Sequence, residues 1–332
     1  MKVLLVEHIH QAAENMLTQK AEIVFPEPQN TLGILAAIGD CEALICRNTK
    51  ITRQIMEAAP KLRAIGKHGV GYDTVDISSA NDLLIPVLYT PAANTESVAE
   101  LAVGFIICSG RKIVEANRTM QSGKLISETV TMPIMAKRHG LVTADIWGKT
   151  LGIIGVGRIG SSVAKKMITA FNMRVLGYDP YVDEKTLAGY GVKKADTLED
   201  MLPQCDFVSL NCPGGAETKH MINARTLALM KPSAYVINTA RGTVVDETAL
   251  LQAIQKEQIA GAATDVYDPE PPAPGSPIIR TDSIIVTPHL GAQTEESLYR
   301  MGTTIVQGIL DVLESKRPEY LVNPAVWEKR KK

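Results

Sequence analysis

The feature that most narrows what this chain can become is Gly155-Val156-Gly157-Arg158-Ile159-Gly160, which follows the apolar run Leu151 to Ile154 directly and opens a helical pattern from Ser161 to Ala170. A strand that must turn at once into a helix needs residues without side chains where the backbone bends and where the two elements touch. Gly155 allows the turn, Gly157 lets a pyrophosphate approach the backbone, and Gly160 lets helix and strand pack closely. The helix N-terminus then faces the phosphates with its N–H groups. Asp179, nineteen residues past Gly160, closes a strand over Arg174 to Tyr178. A carboxylate there accepts hydrogen bonds from an adenosine ribose and repels a 2′-phosphate, so the sequence predicts NAD in preference to NADP. Pro180 and Tyr181 follow it, with no Arg to receive the extra phosphate.

The same alternation of strands and helices recurs on both sides. Before it stand Val3 to Val6, a helix near His10 to Lys20, Ala43 to Cys46, a helix over Thr52 to Ala59, and Leu62 to Ile65. After it come Val175-Leu176, Phe207 to Leu210, Tyr235 to Asn238, Gly261 to Thr264 and Ile284 to Val286. Short apolar strands separated by helices imply parallel sheets, and 332 residues exceed what one hydrophobic core fills, so two α/β units are expected. Glu96 to Val114 has little polar face and reads as one buried helix joining the units; Glu295 to Glu314 reads as a second long helix.

Charge and composition exclude several roles. A formal net charge of -1 leaves no basic field for nucleic acid or an anionic membrane surface. Five cysteines form no CxxC pair and suit reduced core thiols better than disulfides or a metal site. The apolar run Leu101 to Cys108 is too short to span a bilayer, and no export signal opens the chain, so a cytoplasmic protein is expected. The basic tail Lys329 to Lys332 reads as a frayed, solvated end.

Three apolar strands end in polar residues: Asn238-Thr239-Ala240-Arg241-Gly242, Asp265 to Pro271, and Thr287-Pro288-His289-Leu290-Gly291. Ligands collect at the carboxyl ends of parallel strands, so Arg241, Glu270 and His289 can converge beside a bound dinucleotide. Hydride transfer to a 2-keto acid needs that set: a cation for the carboxylate and carbonyl, a proton donor for the forming alkoxide, and an anion that keeps the donor protonated.

On these motifs, in this order over nearly the whole chain, the sequence resembles the D-isomer-specific 2-hydroxyacid dehydrogenases, in their phosphoglycerate dehydrogenase-like branch. The resemblance implies two doubly wound parallel-sheet domains. A Rossmann NAD domain, 98–292, is inserted in a flavodoxin-like substrate domain made of 1–97 and 293–332, with the active cleft between them. It makes Arg241 the substrate-orienting residue, His289 the general acid/base and Glu270 its partner. It places coenzyme contacts on Arg158, Ile159, Thr239, Ala240, Arg241, Asp265 and His289 to Ala292, including Gly291, with Cys212 and Pro213 lining the cleft. The loop Gly66 to Asp73 matches the family's glycine loop, whose N–H groups bind the substrate carboxylate through Gly69, Val70 and Gly71.

Arg47, Lys67 and His68 are then expected to gather positive charge about the far end of the substrate, which a second anion such as a phosphate would satisfy. Asn48 stands where the phosphoglycerate enzymes carry Ser. The connector Gly123 to Trp147 falls where relatives form their subunit contact, so a homodimer is implied. The resemblance also admits a different class of function, a corepressor-like protein that senses NAD(H), since such proteins keep the same catalytic residues. Short ends without long disordered flanks favour the enzyme.

Overall fold

The computed structural model describes residues 1–127 and 129–330; Glu128 of the connector and Lys331 and Lys332 of the basic tail lie outside the described residues. The chain divides into two compact units, Met1–Asn94 with Ala292–Lys332, and Thr95–Gly291.

The first unit alternates β1 (Lys2–Leu5), α1 (Gln11–Thr18), β2 (Glu22–Val24), α2 (Thr31–Ala37), β3 (Ala43–Cys46), α3 (Arg53–Glu57), β4 (Ala64–Lys67), α4 (Ile77–Asp82) and β5 (Val87–Leu88). All pairings in its five-stranded sheet are parallel, in the order β2-β1-β3-β4-β5. Strand side chains point alternately to the two faces. Leu4 and Leu44 join Ile34, Ile38 and Ile55 on one face, while Val3, Leu5 and Ile45 join Ala13 and Leu17 on the other. Because both faces are covered, the strands read as unbroken apolar runs and not as alternating ones.

The second unit contains α5 (Thr95–Gly110), α6 (Ile113–Gln121), α7 (Met132–Arg138), β6 (Thr150–Ile154), α8 (Arg158–Phe171), β7 (Arg174–Tyr178), α9 (Glu184–Gly189) and β8 (Val192–Lys194). It continues with α10 (Leu198–Met201), β9 (Phe207–Leu210), α11 (Ala224–Leu227), β10 (Tyr235–Asn238), α12 (Glu247–Gln255), β11 (Gly261–Thr264) and β12 (Ile284–Val286). Its seven strands are parallel in the order β12-β11-β10-β9-β6-β7-β8. From β6 the chain builds outward to β7 and β8, then returns to the other side of β6 with β9. That reversal opens a crevice at the carboxyl ends of β6 and β9, where such sheets bind ligands.

The chain then re-enters the first unit as α13 (Glu295–Leu313), which lays Ile305, Val306, Ile309 and Leu310 on the β1 face. Contact is close. A Cβ on Gly66 of β4 would lie 2.9 Å from Ile305, and one on Gly302 would lie 2.8 Å from the Ala13 side chain, so these two glycines seat the helix.

The structure corrects three expectations. The helix read over Glu96 to Val114 is two helices: α5 ends at Gly110, and Lys112 takes a left-handed φ of 48° before α6 starts. The apolar pattern continues across the break, which hides it. The strands β2, β5 and β8 were not expected from the sequence, being two or three residues long with β2 and β8 partly exposed at sheet edges. The basic tail is not frayed at its start, since Arg330 lies 3.3 Å over the Trp327 ring and donates to the Trp327 carbonyl at 2.6 Å. All five cysteines are free, and burial pushes the Cys46 and Cys205 thiols up to about 12, which keeps them protonated and inert. Among the described residues no helix is long and apolar enough to cross a membrane.

Candidate active site

The glycine turn lies at the head of the crevice in the second unit. Gly155 has φ +85°, a region costly for any side chain, and a Cβ there would meet the Cys212 backbone nitrogen at 2.6 Å. Gly160 lets α8 press on the turn, since its Cβ would sit 2.2 Å from the Gly155 carbonyl oxygen. Gly157 is the N-cap of α8; no side chain caps the helix, and a Cβ on Gly157 would meet nothing within 4 Å. Arg158 is exposed and Ile159 half-buried at the start of that helix.

Asp179 ends β7 beside this turn. Its Oδ2 accepts the Val156 N–H at 2.9 Å, and its Oδ1 accepts the Tyr181 N–H at 2.9 Å. The carboxylate therefore fixes the glycine loop as well as facing it, and each oxygen keeps a further lone pair for a ribose hydroxyl. Cys212 is buried against Gly155, with its thiol pushed up to about 11 by burial, and Pro213 follows it on the exposed side.

At the end of β10, Asn238 organises the turn that carries Arg241: its side-chain oxygen accepts the Ala240 N–H at 3.0 Å and its amide donates to the Arg241 carbonyl at 3.0 Å. The Thr239 hydroxyl is buried and has no hydrogen-bond partner among the described residues. A Cβ on Gly242 would lie 2.0 Å from the Tyr267 carbonyl, so this glycine lets the chain leaving β10 rest on the chain leaving β11. That close approach brings Arg241 to the segment bearing Glu270.

His289 stands three residues beyond β12 with a left-handed φ of 56°. Its Nδ1 lies 2.5 Å from Glu270 Oε1, so Nε2 is the ring nitrogen that Glu270 does not engage. The two side chains keep 32% and 34% exposure, enough for a reactant to reach them. Burial alone would raise the Glu270 carboxyl. The hydrogen bond and charge of His289, the Tyr267 N–H and the Arg241 charge outweigh it and hold the group below its ordinary value.

Asp265 sits underneath this loop and is 2% exposed. Its Oδ1 accepts Thr287 Oγ1 at 2.5 Å and the Leu290 N–H at 2.6 Å, while Oδ2 accepts the Gly291 N–H at 2.8 Å. Its backbone carbonyl takes the His289 N–H at 3.0 Å. Asp265 is thus the anchor of the His289 loop, with its carboxylate turned to protein donors. The Tyr267 hydroxyl, which donates to the Thr287 carbonyl at 2.7 Å, ties the β11 and β12 ends together from the other side. Thr287 and Tyr267 escaped the sequence reading as site residues; a hydroxyl just before Pro288-His289 and a tyrosine inside the Asp265 to Pro271 motif were the available signals. Ala292 falls in the first unit, packed with Ala93 and Met301.

In the first unit, Arg47 and Lys67 follow or end β3 and β4. Glu7 Oε1 accepts the N–H groups of Arg47 and Asn48 at 3.0 and 3.3 Å, and Glu42 pairs with Arg63 at 3.6 Å. Burial lowers the Arg47 pKa, against the opposing charge of Glu7. His68 corrects the expectation of three positive charges: it is 2% exposed, and burial, with Arg47 and Lys67 adding to it, pushes its pKa down to about 3. A ring so placed is neutral. The Gly69 N–H, expected to face an anion, is instead donated to Thr90 Oγ1 at 3.1 Å, and with φ +140° this glycine shapes the loop.

The second unit fits a dinucleotide. An uncapped helix N-terminus behind an open glycine, an acid at the end of the next strand, and a buried threonine hydroxyl awaiting a partner are the features such a ligand completes. Residues 103–291 match the family described as D-isomer specific 2-hydroxyacid dehydrogenase, NAD binding domain. The chain is 35% identical to the D-3-phosphoglycerate dehydrogenase of Methanocaldococcus jannaschii over 97% of its own length and 59% of that enzyme's. It spans just under three-fifths of the curated phosphoglycerate dehydrogenases it matches. It is likewise 35% identical to the glyoxylate reductase of Thermofilum pendens, over 99% of this chain and 96% of that one. Among solved structures, a protein from Thermus thermophilus superposes with a TM-score of 0.86 at 31% identity, covering 97% of this chain and all of its own.

Proposed function

Because the chain belongs to the D-isomer-specific 2-hydroxyacid dehydrogenase family, we propose that it transfers a hydride between NAD(H) and a small D-2-hydroxy acid or its 2-keto partner. The observation that carries this reading is the 2.5 Å His289–Glu270 pair, partly open to solvent, beside Arg241 at the strand ends that adjoin the glycine turn. The residues that would hold the dinucleotide are Gly155, Gly157, Arg158, Ile159 and Gly160 at the pyrophosphate, Asp179 at the ribose, and Cys212, Pro213, Thr239, Ala240 and Gly291 along the crevice. When bound, the reduced coenzyme supplies the hydride that reaches the carbonyl carbon.

Each protein group then has one task. Arg241 pairs with the substrate carboxylate and polarises the carbonyl. His289 Nε2 gives its proton to the carbonyl oxygen as that oxygen becomes an alkoxide, so the product leaves as a neutral hydroxyl and the ring is left neutral. Glu270 holds Nδ1 and steadies the charged ring before transfer. Asp265 keeps the His289 loop in its strained conformation. In the opposite direction His289 takes the hydroxyl proton.

The first unit is read as the substrate domain, with the Val70 and Gly71 N–H groups and Lys67 for an anion and Arg47 for a second, distal one such as a phosphate. A homodimer is proposed through the connector, supported by Ile126, Met132, Ile134, Val142 and Trp147, which lie within it and are each about half exposed or more. The test is NADH oxidation by purified protein against phosphohydroxypyruvate, hydroxypyruvate, glyoxylate and pyruvate. Turnover of one or more supports the enzyme; none with any of them refutes it.

A further inference from the structure

A pocket of about 350 Å³ lies within the first unit, lined by none of the residues assigned to the dinucleotide or to the His289–Glu270 pair. Its walls come from α1, the end of β5, one side of α13 and the segment after α13. The volume is that of a small-molecule site at the lower end of the usual range.

Its chemistry is one-sided. Among the described residues, the charged ones lining it are both acidic, Asp311 and Glu319, with no Lys, Arg or His. Outside the lining, Lys316 and Lys20 pair with Glu314, at 2.7 and 3.5 Å, and Lys316 also lies within the electrostatic reach of Asp311. Asp311 accepts a hydrogen bond from the uncharged Gln307 amide at 2.8 Å.

Two tyrosine rings also line the pocket. Tyr89 and Tyr320 meet at 82° with centroids 6.5 Å apart, forming a corner within the pocket wall. Tyr89 also meets Tyr72 of the Gly66 to Asp73 loop, edge to face at 5.8 Å. Ring faces attract cations and repel anions, and an ammonium ion carrying methyl or methylene groups suits an aromatic corner better than a hydrated metal ion does. Leu88 and Ile305 supply apolar wall for the uncharged body of such a ligand.

We propose that this pocket binds a small organic ammonium ion, one positive charge on an apolar body, between the Tyr89–Tyr320 corner and the carboxylates of Asp311 and Glu319. The reading is independent of the reaction in the second unit.

The probe is choline, titrated calorimetrically into the full chain, with dimethylbutanol, its uncharged carbon isostere, as the comparison. Choline is expected to bind, with the isostere weaker by about 10-fold or more, the size of a desolvated cation–π contact. Tyr320→Leu and Glu319→Gln should each weaken choline binding several-fold while leaving NADH binding unchanged, and Glu319→Gln should leave the thermal melt unchanged as well. Glu319 is exposed, so its variant tests charge without disturbing the core. Absence of choline binding, equal binding of the isostere, or wild-type affinity in both variants would overturn the proposal.

Discussion

Asp265→Asn is the most informative single change at the site, because it keeps the shape and removes one acceptor. In the native loop one carboxylate accepts three donors, from Thr287, Leu290 and Gly291, at 2.5–2.8 Å. An asparagine oxygen turned toward Thr287 and Leu290 leaves its amide facing the Gly291 N–H, donor against donor. Losing one charge-assisted bond and leaving a buried N–H unmet costs about 2–4 kcal/mol. For a unit of this size each kcal/mol lowers the melting temperature by about 2–4 °C, so the drop should be roughly 5–15 °C.

Activity should fall as well. The His289 loop is held at a φ of 56° by these bonds, and an imidazole displaced by about 1 Å loses on the order of 100-fold in rate. The assay pairs circular-dichroism melts with keto-acid reduction, and NADH fluorescence reports binding separately. Thr287→Val serves as the graded control, removing one donor at about 1 kcal/mol. An Asn variant that melts within about 2 °C of wild type and turns over within two-fold would refute the anchoring argument.

Further outcomes are expected at neighbouring residues. His289→Ala should cut reduction by about 100 to 10,000-fold with NADH binding within a few-fold, measured by steady-state kinetics and fluorescence titration. Glu270→Gln should move the alkaline limb of the reduction pH profile to lower pH, since the charged ring loses the anion it faces. The folded Glu270 carboxyl titrates below its unfolded value, so its contribution to stability is present above the unfolded value and fades as pH falls through the folded one. Melts of wild type and Glu270→Gln should therefore converge in acid. Asp179→Ser should narrow the preference for NADH over NADPH in direct binding, and should weaken both somewhat, because the Val156 N–H loses its acceptor. Arg47→Ala should erase any preference for phosphohydroxypyruvate over hydroxypyruvate, by about 10-fold or more for one charge-assisted bond.

The parallel sheets, and the meeting of Glu270 with His289 near the Arg241 charge, were legible because both rest on strong local signals. Buried strands read as apolar runs, and Arg241, Glu270 and His289 follow their strands by three, six and three residues. What remained hidden is carried by contacts between segments distant in sequence. The role of Asp265 depends on a loop more than twenty residues away that turns its N–H groups inward, and nothing in the residue type distinguishes an anchor from a ligand contact. His68 looked like a charge because histidine beside lysine in a glycine loop is polar on paper; its burial is decided by packing in the folded unit. The short strands β2, β5 and β8 were missed for want of length, since two or three residues carry no period. The Lys112 break in the long helix was missed because side-chain hydrophobicity does not register a backbone angle.

The interruption of the first unit by the second sets an order of assembly. Thr95–Gly291 is continuous and can close its own core as soon as it is synthesised, whereas the first five strands must wait for α13. Until then Val3, Leu5 and Ile45 present an apolar sheet face, covered by α1 but missing Ile305, Val306, Ile309 and Leu310. At ordinary elongation rates of about 5–20 residues per second, roughly 200 intervening residues take about 10–40 s to appear. The first part of the protein to emerge is therefore the last to become stable, and its newborn sheet stays exposed to stray partners for most of synthesis.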